Sequence, residues 1–240
     1  MIGELAVIDA FADAIDFILN PQESRFATDK VGGLDFAVEL ILDHLKLTAL
    51  ALGAALVLAL PAGVILGHLG RGEFLAVAVG NAGRAIPELA LIAFVAAFIG
   101  VGLTNVTIAL MVLGIPPILT NAYVGIRQVD RSTVEAARGM GMRGWQVITR
   151  IELPLAVPTI MSGVRTGAIN IVATATIAPL AGEQSLGTLI LGRNVYGAEG
   201  VLAGAILVAL LAVVIELSLA GLQRLLTPRG LSLAREPSAA

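Results

Sequence analysis

The chain has 240 residues, 57% of them hydrophobic and only 14% charged, with a mean hydropathy of +0.92. Soluble domains carry roughly 25% charged residues, so this composition excludes a soluble fold and points to an all-α, polytopic helical membrane protein whose apolar side chains are solvated by lipid. The absence of cysteine excludes disulfides, thiolate metal sites and cysteine nucleophiles, and the net charge of −3 divides into −6 over residues 1–46 (nine acids, three bases) and +3 over the rest (nine acids, twelve bases).

Residues 4–19 place Leu5, Ile8, Phe11, Ile15, Ile18 and Leu19 at helical spacing, with Asp9, Asp13 and Asp16 on another face, and Asn20-Pro21 ends the pattern. This predicts an amphipathic acidic helix, too polar on one side to span, that packs on its own protein or lies in the membrane interface. A polar loop, Gln22 to Gly33, completes an N-terminal segment over residues 1–33. It lacks the basic start and small-residue cleavage site of a signal peptide, so targeting is expected to come from the spans.

The transmembrane domain is expected over residues 34–226. A lead-in helix, Leu34–Lys46, precedes a first span at Leu47–Leu69, in which Pro61 predicts a kink, and Gly70-Arg71-Gly72 makes a tight turn. The second apolar segment, Phe74–Ile99, is interrupted by Arg84, Pro87 and Glu88, and the third, Val106–Ile126, contains Pro116-Pro117. A charged stretch follows from Arg127 to Glu152. The fourth span is expected at Val157–Leu180, a polar connection at Gly182–Gly200, the fifth span at Val201–Leu226 and a polar tail over 227–240.

Five spans put the termini on opposite sides of the membrane. Arg127, Arg131, Arg138, Arg143 and Arg150 share one loop, and Arg71, Arg224, Arg229 and Arg235 then fall on the same side. Basic residues mark the cytoplasm. The acidic segment 1–33 is therefore expected outside and the tail inside, in a multi-pass protein of the bacterial inner or plasma membrane.

The charged loop has an ordered pattern: Glu135-Ala136-Ala137, three residues, Gly141, nine residues, then Ile151-x-Leu153-Pro154. Ser132 as cap and Glu135 three residues later form a capping-box pattern. Gly139, Gly141 and Gly144 end that helix, a second turn or two runs from Trp145 to Ile151, and Pro154 is expected to block its continuation. Loops of roughly 2–8 residues suffice to join two helices, so a longer ordered loop displaying Val134, Ala137, Met140 and Met142 is expected to dock on something in the cytoplasm.

This loop resembles the EAA loop of ABC importer permeases, E-A-A-x3-G-x9-I-x-L-P, at every fixed position. The resemblance implies the helical MetI-like fold of type I importers, and docking on a cytoplasmic ATPase through a coupling loop at 127–156 by Glu135, Ala136, Ala137, Met140, Gly141 and Pro154. Several further segments are similar to the osmoprotectant branch: His44-Leu45-x-Leu47-Thr48, Ile86-Pro87-x-Leu89-Ala90-Leu91, Pro117-Ile118-Leu119-x-Asn121-x-Tyr123, Gly139-Met140-Gly141-Met142, and Gly163-x-Arg165-Thr166. That branch implies import of glycine betaine, choline, carnitine or a related quaternary amine. A methionine- or other amino-acid-type permease of the same fold is the alternative within the class. The chain departs from the branch at Glu88 and at Ala181-Gly182-Glu183-Gln184-Ser185-Leu186-Gly187.

Charges inside apolar segments cost on the order of 2.5–3.5 kcal/mol each on insertion scales and so need a reason. Arg84 and Glu88, four apart, either neutralise each other on one helix face or line the solute path. Arg165 either snorkels inward or faces a water-filled path. Asn170 and Thr174 follow it as further path candidates, although hydroxyls in spans more often bond their own backbone. His44 and His68 are expected at interfaces or helix ends, and the 4% aromatic content gives no evident cage for a quaternary amine.

The chain contains no G-x-x-x-x-G-K-[ST], G-x-S-x-G or H-E-x-x-H motif. No catalytic, cofactor or metal site is therefore expected, and ATP would be hydrolysed by a partner. The expected partners are cytoplasmic ABC ATPases, a second permease chain, an extracytoplasmic solute-binding protein and membrane lipid, with no nucleic acid.

Overall fold

A computed structural model describes residues 2–24 and 30–228, without the side chains of residues 2–6, Val77, Ala82 and Arg84. Most of the expected tail at 227–240 and part of the loop from Gln22 to Gly33 thus lie outside the described residues. Among them, four helices are long and apolar enough to cross a membrane: Leu34–Leu69, Leu103–Arg127, Gly144–Ala181 and Arg193–Leu226. Helices answer the constraint lipid imposes, since every backbone polar group must be satisfied within the segment.

The elements in chain order begin with α1 (Ile2–Leu19), a two-stranded antiparallel ribbon of β1 (Pro21–Glu23) and β2 (Lys30–Gly32), and α2 (Leu34–Leu69). The lead-in helix and first span are one element, because nothing between Leu34 and Leu69 breaks the helix; Pro61 lies inside it. Next come α3 (Glu73–Ala85), α4 (Glu88–Ile99) and α5 (Leu103–Arg127), the last carrying Pro116-Pro117 inside. The second apolar segment is therefore discontinuous. Ile86 and Pro87 are extended, and Pro87 leads into the first turn of α4, where its missing N–H costs nothing.

The charged loop contains α6 (Arg131–Gly139) and α7 (Gly144–Val147). A π-turn, Ile148–Glu152, joins α7 to α8 (Leu153–Thr174), and a 3-10 segment, Ala175–Ala181, continues it. Pro154 does not end the helix as expected. The widened turn before it, in which the Leu153 N–H reaches the Ile148 carbonyl, relieves the clash a proline makes with the preceding turn. The connection Gly182–Gly200 is largely helical: α9 (Gly187–Leu191) and the start of α10 (Arg193–Leu226) occupy it, with a non-helical Gly197 inside α10.

The described residues fall into two compact units. The first holds those within 1–51, 87–110 and 171–214, the second those within 52–86, 111–170 and 215–240. In the first unit α1 is tied down through Ala14 and Phe17, which pack with Leu40, Leu186, Leu189 and Ala203. Its Ile8, Phe11, Ile15 and Leu19 stay exposed on another face. His44 is fully buried here, and its Nε2 donates to the Val172 carbonyl at 3.0 Å. The second unit packs Val64 of α2, Ala122 and Ile126 of α5, and Ala156, Ile160 and Val164 of α8 into one core. Small residues let these backbones approach: a Cβ on Gly63 would lie 2.6 Å from the Leu119 carbonyl oxygen.

Candidate functional site

The charged loop folds as a small body with its own core. Asp130 caps α6 by accepting from the Ser132 N–H at 2.8 Å. The cap is thus two residues earlier than Ser132, the position the capping-box pattern assigns to it. The helix ends on Gly141, whose φ of +86° lies in the left-handed region that glycine adopts most readily. The Met142 N–H reaches the Ala137 carbonyl and the Gly141 N–H the Arg138 carbonyl, the paired bonds of a glycine-terminated helix end. At the start of α7 the Gln146 carboxamide accepts from the Arg143 N–H at 2.8 Å.

Val129, Val134, Ala137 and Val147 are buried together, with Met142 and Ile151 packed on them. The expected display of Val134 and Ala137 is corrected accordingly: both face inward and support the surface from behind. The side chains at the surface include Glu135, Ala136, Arg138, Met140, Arg143 and Trp145. Met140 is 75% and Trp145 72% exposed. A Cβ on Gly141 would meet nothing within 4 Å, so this glycine serves the backbone turn and keeps the outer surface clear. Pro154 stands apart from that surface. It lines an apolar groove of about 470 Å³ with Leu56, Leu60, Val157, Met161 and Leu219.

The loop is fastened to the end of α2 by a contact that sequence reasoning missed. His68 Nδ1 lies 2.6 Å from Glu152 Oε2, with Glu152 buried in the π-turn and His68 nearly so. His68 Nε2 also abuts Gly144, 3.6 Å from where a Cβ there would stand. His68 is a helix-end residue, as expected, but its partner is 84 positions away, and nothing local in the sequence marks the pairing.

The candidate path residues are divided between the two units. In the second unit Arg165 turns to α10, where its guanidinium pairs with Glu216 and Nη1 donates to Gln223 Oε1 at 3.1 Å. The Arg84 side chain lies outside the described residues. Its backbone is in α3 and Glu88 opens α4, so the break at Ile86-Pro87 removes the shared helix face on which they were expected to pair. Glu88 is exposed and Thr174 half-buried, both in the first unit.

Asn170 has different company. With Asn81 and Gly83 of α3, Thr120 and Asn121 of α5 and Thr166 of α8 it lines a polar cavity of about 300 Å³ within the second unit. On α8, Ser162, Thr166 and Asn170 are all exposed at intervals of four, which aligns them on one helix face. Close helix packing builds the walls: a Cβ on Gly83 would lie 2.2 Å from Pro116 Cγ, and one on Gly163 2.5 Å from Asn121 Cβ.

Among the described residues no three His, Asp or Glu side chains gather as metal ligands. Phe94 and Phe98 lie with centroids 5.0 Å apart and are both exposed, while Phe17 and Phe36 pack on Tyr196 with centroids 6.4 and 5.9 Å from it. The latter three fill a core with their edges and faces.

Residues 59–230 match the family described as binding-protein-dependent transport system inner membrane component. The glycine betaine/carnitine/choline transport system permease protein OpuCB of Bacillus subtilis is 36% identical, over 82% of this chain and 91% of that protein. The carnitine transport permease protein OpuCB of Listeria monocytogenes is 38% identical, over 80% and 88%. The osmoprotectant import permease protein OsmY of Salmonella typhimurium is 35% identical, over 77% and 80%. Among solved structures, an inward-facing MetNI methionine ABC transporter chain superposes with a TM-score of 0.71 at 22% identity, over 81% of this chain and 98% of that one. An amino acid ABC transporter with histidines gives 0.60 at 19%. These two matches describe fold.

Proposed function

Because this chain belongs to the family of binding-protein-dependent transport system inner membrane components, we propose that it is the permease subunit of an ATP-driven importer of compatible solutes. The solutes are glycine betaine, choline, carnitine or a related quaternary amine, the cargoes in the names of its relatives. Family and apolar helices alike make it a multi-pass inner-membrane protein. In this reading residues 1–33 lie outside, and the loop at 127–156 and the tail at 227–240 lie in the cytoplasm, in line with the basic residues.

The observation that carries the reading is the charged loop: a small body with its own core that holds Met140 and Trp145 in the open. Exposed large apolar side chains on a supported surface suit a protein partner. That partner is a cytoplasmic ATPase subunit. Glu135, Ala136, Met140 and Gly141 form the contact, Ala137 braces it, and Pro154 sets how α8 leaves the loop. Closure of two ATPases on ATP moves the loop as a unit, and His68–Glu152 transmits the movement to α2. Two permease chains enclose one path, and a separate solute-binding protein outside supplies the affinity.

The test is uptake of labelled glycine betaine by the complex reconstituted in lipid vesicles, with choline, carnitine and methionine as competitors. Uptake that requires ATP and the binding protein, and that choline or carnitine suppresses, supports the reading. Suppression by methionine alone would reassign the cargo. Uptake independent of ATP would overturn the importer.

A further inference from the structure

The face of α8 that carries Ser162, Thr166 and Asn170 is exposed and polar in a helix long enough to span a bilayer. Polar side chains at such depth face a water-filled cavity or another protein chain, not hydrocarbon. Asn81 of α3 is exposed beside the same cavity. The wall contributed by α5 is rich in acceptors. Asn121 Nδ2 donates to the Pro117 carbonyl at 2.8 Å, which leaves Asn121 Oδ1 free to accept. Pro117 has no N–H to give the carbonyl of Leu113, which also lines the cavity.

Among the described residues the lining contains no acid or base. A quaternary ammonium has no N–H and cannot be held by hydrogen bonds to its nitrogen; it needs diffuse negative potential, from aromatic faces or from carbonyl dipoles. Amide and backbone oxygens supply that potential without a full charge, and amide NH₂ groups can meet a solute carboxylate. A site on a path must hold its solute weakly enough to release it. At about 300 Å³ the cavity lies at the small end of ligand sites, which run to roughly 1,000 Å³, so it admits a small solute and excludes a nucleotide or peptide.

We propose that the cavity between Asn81, Asn121 and Asn170 is a low-affinity station on the solute path, with neutral carbonyl oxygens facing the quaternary ammonium group and amide N–H groups facing a carboxylate. This rests on the solute class proposed above, and it moves the path from the charged residues to three asparagines on three helices.

The absence of cysteine makes the test direct. Asn81→Cys and Asn170→Cys are made in the full complex with its ATPase and binding protein. Each is treated with 2-(trimethylammonium)ethyl methanethiosulfonate, a water-soluble reagent that carries the same head group. The expected result is that modification lowers glycine betaine uptake at least about tenfold, the loss of roughly one strong polar contact. Glycine betaine in excess is expected to slow the modification.

A second variant, Asn121→Leu, removes the floor of the cavity without any reagent and is expected to lower uptake about tenfold, as one lost buried contact does. ATP hydrolysis stimulated by the binding protein reports whether each complex is assembled. Cysteines that stay unmodified in an assembled complex, with and without ATP, would overturn the proposal, because that face would then be covered by lipid or by a second permease chain. So would modification that leaves uptake unchanged. If the unmodified complex carries a solute other than these amines, the solute class fails by itself, and the station stands or falls on whether the reagent stops uptake of that other solute.

Discussion

Two neighbouring stretches of the second unit have their surfaces the wrong way round for their surroundings. The charged loop over residues 127–152, which the proposed topology places in water, exposes Met140 and Trp145. The membrane-length helix α8 directly after it exposes Ser162, Thr166 and Asn170. Apolar groups left in water and polar groups left at bilayer depth are both unfavourable unless something else meets them. In the proposed reading the contrast separates two tasks of the subunit: the loop would offer an apolar knob to a protein in water, and α8 a polar face to a solute within the membrane.

The comparison breaks most readily at Gly141. Gly141→Val forces a β-branched residue into a left-handed conformation, at a cost of roughly 1–2 kcal/mol, and places methyls where the outer surface is now clear. Uptake is expected to fall below about a tenth of wild type, the factor that corresponds to 1.4 kcal/mol. ATP hydrolysis by co-purified ATPase should no longer respond to the binding protein. Gly141→Asn, which tolerates the left-handed region, should keep the turn and most of the uptake. Full assembly and full uptake in the valine variant would remove the loop from the coupling scheme.

A smaller loss is expected at the fastening between loop and span. His68→Leu leaves the buried Glu152 carboxylate without its partner. An unsatisfied buried group costs about 1–3 kcal/mol, so the detergent-solubilised complex should melt earlier and uptake should fall several-fold. Adding Glu152→Leu removes the stranded charge and should recover the melting temperature. Coupling should stay impaired, because the tie between α2 and the π-turn is still missing. Recovery of both would make the pair a stabilising contact with no part in transmission.

The loop was legible in the sequence and the path was not, for a physical reason. A helix cap, a glycine in a left-handed turn and a proline are local events, and their spacing along the chain survives as a pattern. Even so, the pattern misplaced the cap, which is Asp130, and took Ala137 for a surface residue when it is 1% exposed. The long helices were also visible as apolar runs, and the interruption at Arg84, Pro87 and Glu88 marked the break in the second of them. Which side of a helix meets what depends on neighbours far away in sequence. His68 meets Glu152, Arg165 meets Glu216, and Asn170 shares a cavity with Asn81 and Asn121. No spacing rule carries that information, and the rarity of charge in the spans drew attention to arginines where amides form the cavity.

Arg165 is therefore the sharpest place to test whether charge or amide marks the path, and its expected effect is the smallest. It lies five residues before Asn170, about 140° round a helix of 3.6 residues per turn, and it is engaged by Glu216 and Gln223 on α10. Arg165→Met alone would leave Glu216 unpaired, so the informative variant is Arg165→Met with Glu216→Gln, which removes both charges together. If the pair only joins α8 to α10, glycine betaine uptake by this double variant should stay within about threefold of wild type, as half-exposed ion pairs contribute little. Asn121→Leu should lower it about tenfold in the same assay. A double variant that loses uptake as far as Asn121→Leu, while ATP hydrolysis still answers the binding protein, would put the solute on the charged face of α8 and leave the asparagine face to a neighbouring chain.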